Sequence, residues 1–216
     1  MGFKGAIFDL DGVIVHTVSL HFKAWQKMFS EYGKEFSFED YKQKVDGIPR
    51  ISGARAVLTD LSDQELMVAA ARKQIYFLEF LERDGVEVYQ STIDLVKELK
   101  AQNIKVAVIS SSKNCLFILK RVGVDSLFDV ILTGNDVKKG KPEPDVFLLA
   151  AEKLNLTSDV CLVFEDAVLG IEAANRAKMK SIGIDRYQKP ERLSKADIVC
   201  SDLSELNFQK LEGLFS

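Results

Sequence analysis

An α/β fold built on an open parallel sheet is predicted by three features of the 216-residue chain. Short apolar runs recur with helical patterns between them. The runs are continuously apolar rather than alternating, which marks strands covered on both faces, as in a parallel sheet. Chemically active side chains cluster where the runs end, and in such sheets ligands sit outside the carboxyl ends of the strands. Strand–helix alternation then implies right-handed crossovers.

The first run, FKGAIFDL (3–10), breaks the rhythm, because residues 17–82 carry no convincing strand. Only helical stretches follow it, VSLHFKAWQKMFSEYG (18–33) and DQELMVAAARKQIYFLEFLERD (63–84). A helical insertion after the first strand explains this, entered and left through hinge segments at 13–17 and 84–90. The alternation then resumes with helix 91–102, strand 104–110, helix 114–123, strand 129–134, helix 144–155, strand 159–166 and helix 167–178. SIGID (181–185) and ADIVC (196–200) read as two weaker strands. The expected division is a core of residues 1–16 and 86–216 and a helical cap of residues 17–85.

Composition narrows the function. The chain is 47% hydrophobic with a formal net charge of −3, and its acids and bases are mixed. No basic block supports nucleic-acid or membrane binding. No run approaches the roughly 20 apolar residues of a membrane helix, and the N-terminus lacks a signal-like h-region. Cys115, Cys161 and Cys200 lack metal-like spacing and read as core residues of a reduced protein. A cytoplasmic monomer acting on a small molecule is expected.

The first strand end delivers Asp9 and Asp11, and the strand at 104–110 delivers Ser110, Ser111, Ser112, Lys113 and Asn114. Lys141 follows the strand at 129–134, and Glu165 and Asp166 end the strand at 159–166. Each has a structural alternative. Asp-Gly marks turns, serines cap helices, a loop lysine is usually solvated and Glu165-Asp166 suits a helix N-terminus. Jointly they supply one reaction. A carboxylate attacks phosphorus to give an acyl phosphate, and the anion–anion repulsion needs counter-charge. Mg²⁺ provides it through oxygen ligands; Asp9, the Asp11 carbonyl, Glu165 and Asp166 are its candidate shell. Lys141 and Ser110 are candidates for the remaining phosphoryl oxygens, and Asp11 for the proton transfers.

D-L-D-G-V at 9–13, hydrophobic-S at 109–110, K-P at 141–142 and E-D at 165–166 together resemble the four motifs of the haloacid dehalogenase superfamily. The resemblance implies a Rossmann-like core with an inserted helical cap, an Mg²⁺ cofactor, Asp9 as nucleophile and Asp11 as general acid/base.

The cap refines this. His21, Trp25 and Met28 share one helical face, a stripe that suits cap core as well as a ligand site. H-x-x-A-W after the D-L-D-G loop is similar to the β-phosphoglucomutase-like family, as are VDGIPRISG (45–53), ARKQIYF (71–77) and SSSKN (110–114). That resemblance implies a sugar phosphate substrate touched by Thr17, His21, Trp25, Gly47, Arg50, Lys73, Ser111, Ser112, Lys113 and Asn114. It implies interconversion of β-glucose 1-phosphate and glucose 6-phosphate through the 1,6-bisphosphate; a sugar phosphatase on the same scaffold is the alternative. Three departures stand out: Asp46 replaces the family's lysine before the glycine, His16 replaces an aspartate, and VYQST (88–92) lacks the return-hinge Pro-Gly. If its segment is helical, Asp46 is placed to pair with Arg50 at i,i+4. Lys42, Lys44 and Lys73 lie in polar contexts that do not suggest a desolvated amine.

Overall fold

The structure is a computed structural model and describes residues 2–215. Strands β1 (Gly5–Asp9), β2 (Lys105–Ile109), β3 (Val130–Leu132), β4 (Cys161–Glu165), β5 (Lys180–Ile184) and β6 (Ile198–Cys200) form one sheet in the order β3-β2-β1-β4-β5-β6. Every pairing is parallel. Covering on both faces explains the continuous apolar runs: Phe8, Val106, Val108 and Phe164 enter one apolar cluster, while Ile7, Ala107, Ile109 and Val163 enter another. Phe8 and Phe164 stack across β1 and β4 with ring centroids 4.2 Å apart. Both weaker strands form. β3 and β6 span three residues each, as befits edge strands with a single neighbour.

Register positions the chemistry. β1 lies between β2 and β4, with Asp9 opposite Ile109 and Phe8 opposite Phe164. The next residues on the neighbouring strands are therefore Ser110 and Glu165, and the strand ends meet on one rim.

Between β1 and α5 (Gln90–Ala101) the chain is helical: α1 (Val18–Ser30), α2 (Phe38–Asp40) running into a π-helical turn (Tyr41–Val45), α3 (Arg50–Val57) and α4 (Asp63–Asp84). α4 begins at a capping box, Ser62 with Glu65, and stops at Gly85, whose φ is +73°. Trp25, Met28, Phe29, Phe36, Leu66 and Ala69 give this part its own apolar cluster. The connecting segments pair with each other: Val15 bridges Val88, His16 N–H donates to the Glu87 carbonyl at 2.9 Å, and Tyr89 N–H donates to the Ile14 carbonyl at 2.9 Å. Where Pro-Gly is missing, the Tyr89 ring stacks with His16 at 3.5 Å and takes the Arg186 guanidinium at 3.5 Å. The remaining helices are α6 (Cys115–Arg121), α7 (Asp145–Lys153), α8 (Val168–Arg176) and α9 (Phe208–Glu212). All three cysteines are buried and free. Among the described residues no helix is long and apolar enough to cross a membrane.

Candidate active site

β1 ends at Asp9 and the chain turns at once. Asp11 N–H donates to Asp9 Oδ2 at 2.9 Å. Gly12 then adopts φ +82°, and a Cβ there would lie 2.5 Å from Asp166 Oδ2. Only glycine satisfies both the turn and the close approach. The Lys141 ammonium donates to Asp9 Oδ1 at 2.5 Å and also to Glu165 Oε1, while Ala167 N–H donates to Glu165 Oε2 at 2.8 Å. Burial raises the Asp9 carboxyl to about 7 against the pull of Lys141, with the Asp11 and Asp166 charges adding to the rise. Burial likewise pushes Glu165 and Asp166 to about 7. Lys141 stays firmly charged: burial opposes this, but the Asp9 and Glu165 carboxylates outweigh it.

Asp11 sits at the seam between core and insertion. Ser110 Oγ donates to its Oδ2 at 3.2 Å, Thr17 Oγ1 donates to its Oδ1, and His21 Nε2 lies 3.1 Å from that same oxygen. Burial would raise Asp11, yet His21 and Thr17 overcome it and bring the carboxyl to about 2. His21 is itself held below its ordinary value by burial first and Lys73 second. Nε2 faces the Asp11 carboxylate, which can only accept a hydrogen bond from it. Lys73 Nζ lies 2.7 Å from Nδ1 on the other side of the ring, and burial pulls this ammonium down to about 7. The ring also stacks on Phe77 at 4.1 Å.

Two expectations are corrected here. Lys42 and Lys73 are not in solvated polar settings; both are buried, on the inner sides of the π turn and α4. Asp46 does not pair with Arg50. Gly47, at φ +74°, and Pro49 interrupt the chain before α3 begins, so Asp46 instead pairs back to Lys42 at i,i−4. Lys42 Nζ also reaches Asp166 Oδ2 at 3.2 Å. The two carboxylates, set against burial, keep this ammonium charged.

A cavity of about 50 Å³ closes between core and insertion, walled by Asp9, Asp11, Asp166 and Glu165 from the core and by His21, Trp25, Gly47, Arg50 and Lys73 from the insertion. Ser111 and Ser112 complete the wall, and Ser111 Oγ donates to the Gly47 carbonyl at 2.7 Å. Arg50 is half-buried; its Nη1 lies 3.5 Å from the Ala70 carbonyl, and among the described residues no carboxylate pairs with it. Ser110 and Lys141 lie underneath the cavity, buried, bonded to Asp11 and Asp9. Thr17 is buried behind Asp11. Two predicted residues stand apart. Lys113 is exposed and shares a neighbouring groove with Arg50, and Asn114 exchanges hydrogen bonds of 2.9 and 3.2 Å with Gln74. Sequence reasoning overlooked Lys42 as a site residue and missed Arg186, whose Nε donates to the Gly12 carbonyl at 3.1 Å. The i,i+4 spacing of Lys42 and Asp46 was the available signal for the first.

The donor set fits a hard divalent cation. Asp9, Glu165 and Asp166 are buried oxygen donors; Asp9 and Glu165 share the Lys141 ammonium, and Asp166 meets Lys42 of the insertion. Burial first, and repulsion among the neighbouring carboxylates after it, raises all three carboxyls. No described backbone N–H donates to the Asp11 carbonyl. Among the described residues no three His, Cys, Asp or Glu side chains cage a metal alone. Magnesium does not require that, since it usually binds one or two carboxylates and keeps water or phosphate as its other ligands.

The family model for haloacid dehalogenase-like hydrolases matches residues 6–184. The chain belongs to that family. It is 33% identical to a β-phosphoglucomutase of Bacillus subtilis over 96% of this chain and 93% of that one. It is 32% identical to a phosphorylated carbohydrates phosphatase of Thermotoga maritima over 85% of this chain and 83% of that one. The crystal structure of a β-phosphoglucomutase from Clostridium difficile superposes with a TM-score of 0.89 at 30% identity, covering 99% of this chain and 97% of that one.

Proposed function

We propose that the protein is a phosphoryl-transfer enzyme of the β-phosphoglucomutase type, working through an aspartyl phosphate on Asp9. The observation that carries this reading is the seam at Asp11, where a core carboxylate is held jointly by Ser110 of the core and by Thr17 and His21 of the inserted helices. A proton-transfer group assembled only when the two parts meet lets chemistry proceed in a closed cavity and keeps water from the acyl phosphate. A cavity of about 50 Å³ holds a few waters and no hexose phosphate. Residues 17–85 therefore move as a cap to admit the substrate, over the paired hinge at Val15 and Val88.

In the forward half-reaction the O6 hydroxyl of β-glucose 1-phosphate attacks the phosphorus of phospho-Asp9. Asp11 takes the hydroxyl proton, the phosphorus–Asp9 bond breaks, and the 1,6-bisphosphate forms. After the bisphosphate turns over, Asp9 attacks the 1-phosphate. The proton on Asp11 passes to the departing O1, releasing glucose 6-phosphate and restoring phospho-Asp9. Lys141 and Ser110 steady the reacting oxygens, and Arg50 grips the distal phosphate through its bidentate fork. Asp9, the Asp11 carbonyl, Glu165 and Asp166 are the residues that would hold Mg²⁺, with Lys141 and the Ala167 N–H orienting Glu165. Bound there, the ion supplies counter-charge for the approach of phosphate to carboxylate.

A second reading is supported by one observation: the carboxylate of Asp46 lines the cavity where the mutase-like family carries a lysine. One fewer cation favours a monophosphate over a bisphosphate, and hence hydrolysis of phospho-Asp9 by water. A ³¹P NMR time course with β-glucose 1-phosphate, Mg²⁺ and a trace of the 1,6-bisphosphate separates the two. Glucose 6-phosphate growing without free phosphate supports the mutase; free phosphate alone overturns it in favour of the phosphatase.

A further inference from the structure

Lys42 has no part in the chemistry above, yet it is among the most enclosed charges in the molecule, 5% exposed. It stands on the π turn of the cap. Its Nζ lies 3.2 Å from Asp166 Oδ2 on the core, and it pairs within the cap with Asp46. The Tyr187 ring, from the loop after β5, covers it at 5.0 Å. Phe38 packs on the same ring at 5.2 Å, and Lys189 beside it pairs with Glu39 at 3.1 Å. The contact thus joins the cap to the core beside the buried carboxylates of the site.

We propose that Lys42 competes with the divalent cation for Asp166: closing the cap on an unloaded core seats the ammonium on this carboxylate, and loading the cation lifts it off. The proposal rests on the reading of Asp166 as a cation ligand. An ammonium in hydrogen-bond contact with a carboxylate and a divalent ion on that carboxylate repel strongly where water is excluded, so each occupant weakens the other. Release does not strand a bare charge, because Asp46 is four residues away on the same turn and travels with Lys42. Leaving Asp166 therefore costs one of two partners, which makes the exchange reversible. Thermodynamic reciprocity then requires that the cation loosen cap closure as much as closure weakens the cation. An empty site is kept shut with Asp166 paired, and the loaded one is released to admit substrate.

Mg²⁺ titrations by calorimetry, with the fluorescence of the single tryptophan, Trp25 in the cap wall, as a second signal, test this on wild type, Lys42→Gln, Lys44→Gln and Asp166→Asn. Lys42→Gln is expected to bind Mg²⁺ about tenfold more tightly, a change of about 1.4 kcal/mol. Lys44→Gln, whose exposed ammonium pairs with Asp40 at 2.6 Å, is expected to match wild type. Unchanged or weaker binding in Lys42→Gln overturns the competition. Should that variant fail to fold, deuterium exchange on wild type decides: Mg²⁺ should raise uptake across residues 41–46 and 185–189, and equal or lower uptake overturns the idea. Loss of binding in Asp166→Asn with no change in Lys42→Gln removes the competition alone. Full binding in Asp166→Asn removes the cation site, and the competition with it.

Discussion

Lys141 and Lys73 are buried ammonium groups within one site, and they are poised in opposite senses. Lys141, in the core, touches Asp9 and Glu165 and is held charged by them against its burial. Lys73, on α4, has His21 Nδ1 as its hydrogen-bond partner, and burial brings it down to about 7. The core lysine is kept charged by adjacent strand ends, whatever the cap does, while burial raises the carboxyls around it to about 7. The cap lysine is held at intermediate protonation, and in the proposed cycle the contacts of His21 and Thr17 with Asp11 form on closure. A difference of this kind separates a chemical centre from a device that decides when the centre is used.

The largest effect should come from the core. Asp9→Asn removes the carboxylate proposed to accept phosphorus and leaves an amide that cannot. Turnover should fall to background, a loss on the order of 10⁶-fold, with no phosphoenzyme detectable by mass spectrometry. Circular dichroism should stay native, since the amide keeps the Asp11 N–H bond. Surviving phosphoenzyme would place the nucleophile elsewhere.

Asp11→Ala acts at the seam and should cost less, roughly 10²–10⁴-fold in transfer rate, the usual range for a general acid/base. Mg²⁺ affinity should be nearly unchanged, because the proposed ligand there is the backbone carbonyl. A parallel collapse in calorimetric Mg²⁺ binding would contradict that assignment. Arg50→Ala lies wholly on the cap. It should reduce mutase turnover by about 10–100-fold, the scale of one lost charge-assisted phosphate contact, while hydrolysis of acetyl phosphate changes little. Equal losses in both assays would take Arg50 away from the distal phosphate.

Much of the core was legible from the sequence because its residues are local. A strand and the side chain at its end lie within a few positions, so the apolar runs located β1, β2 and β4, and Asp9, Ser110 and Glu165 came with them. The cap was legible as helices but not as contacts. Lys42 meets Asp166 across 124 positions, and no periodicity encodes such a pair. Lys73 is a different lesson. Leu66, Ala70, Lys73, Phe77 and Leu81 form a regular helical stripe, and all five are buried. The lysine's place in an apolar face was readable from spacing; its polar neighbours in sequence, Arg72 and Gln74, concealed it. Asp46 misled for a conformational reason, since its pairing with Arg50 presumed a helix that Gly47 and Pro49 do not permit.

The smallest effect tests the cap half by its titration rather than its chemistry. Burial lowers Lys73 from 10.5 to about 7, with Asp11 acting to raise it and Arg50 to lower it. Between those values the unfolded chain binds a proton at this position that the folded chain does not. Stability therefore rises with pH across the window, by on the order of a few kcal/mol in all. Below about pH 7 both states hold the proton and the slope vanishes. Lys73→Met takes away the titrating group and keeps most of the side-chain volume. Its urea midpoint, measured from pH 7 to 10, should rise less steeply than that of wild type, and at pH 7 the variant should be the more stable of the two. Parallel midpoints would mean that Lys73 keeps its proton in the fold, and the contrast with Lys141 would then lie in their partners alone.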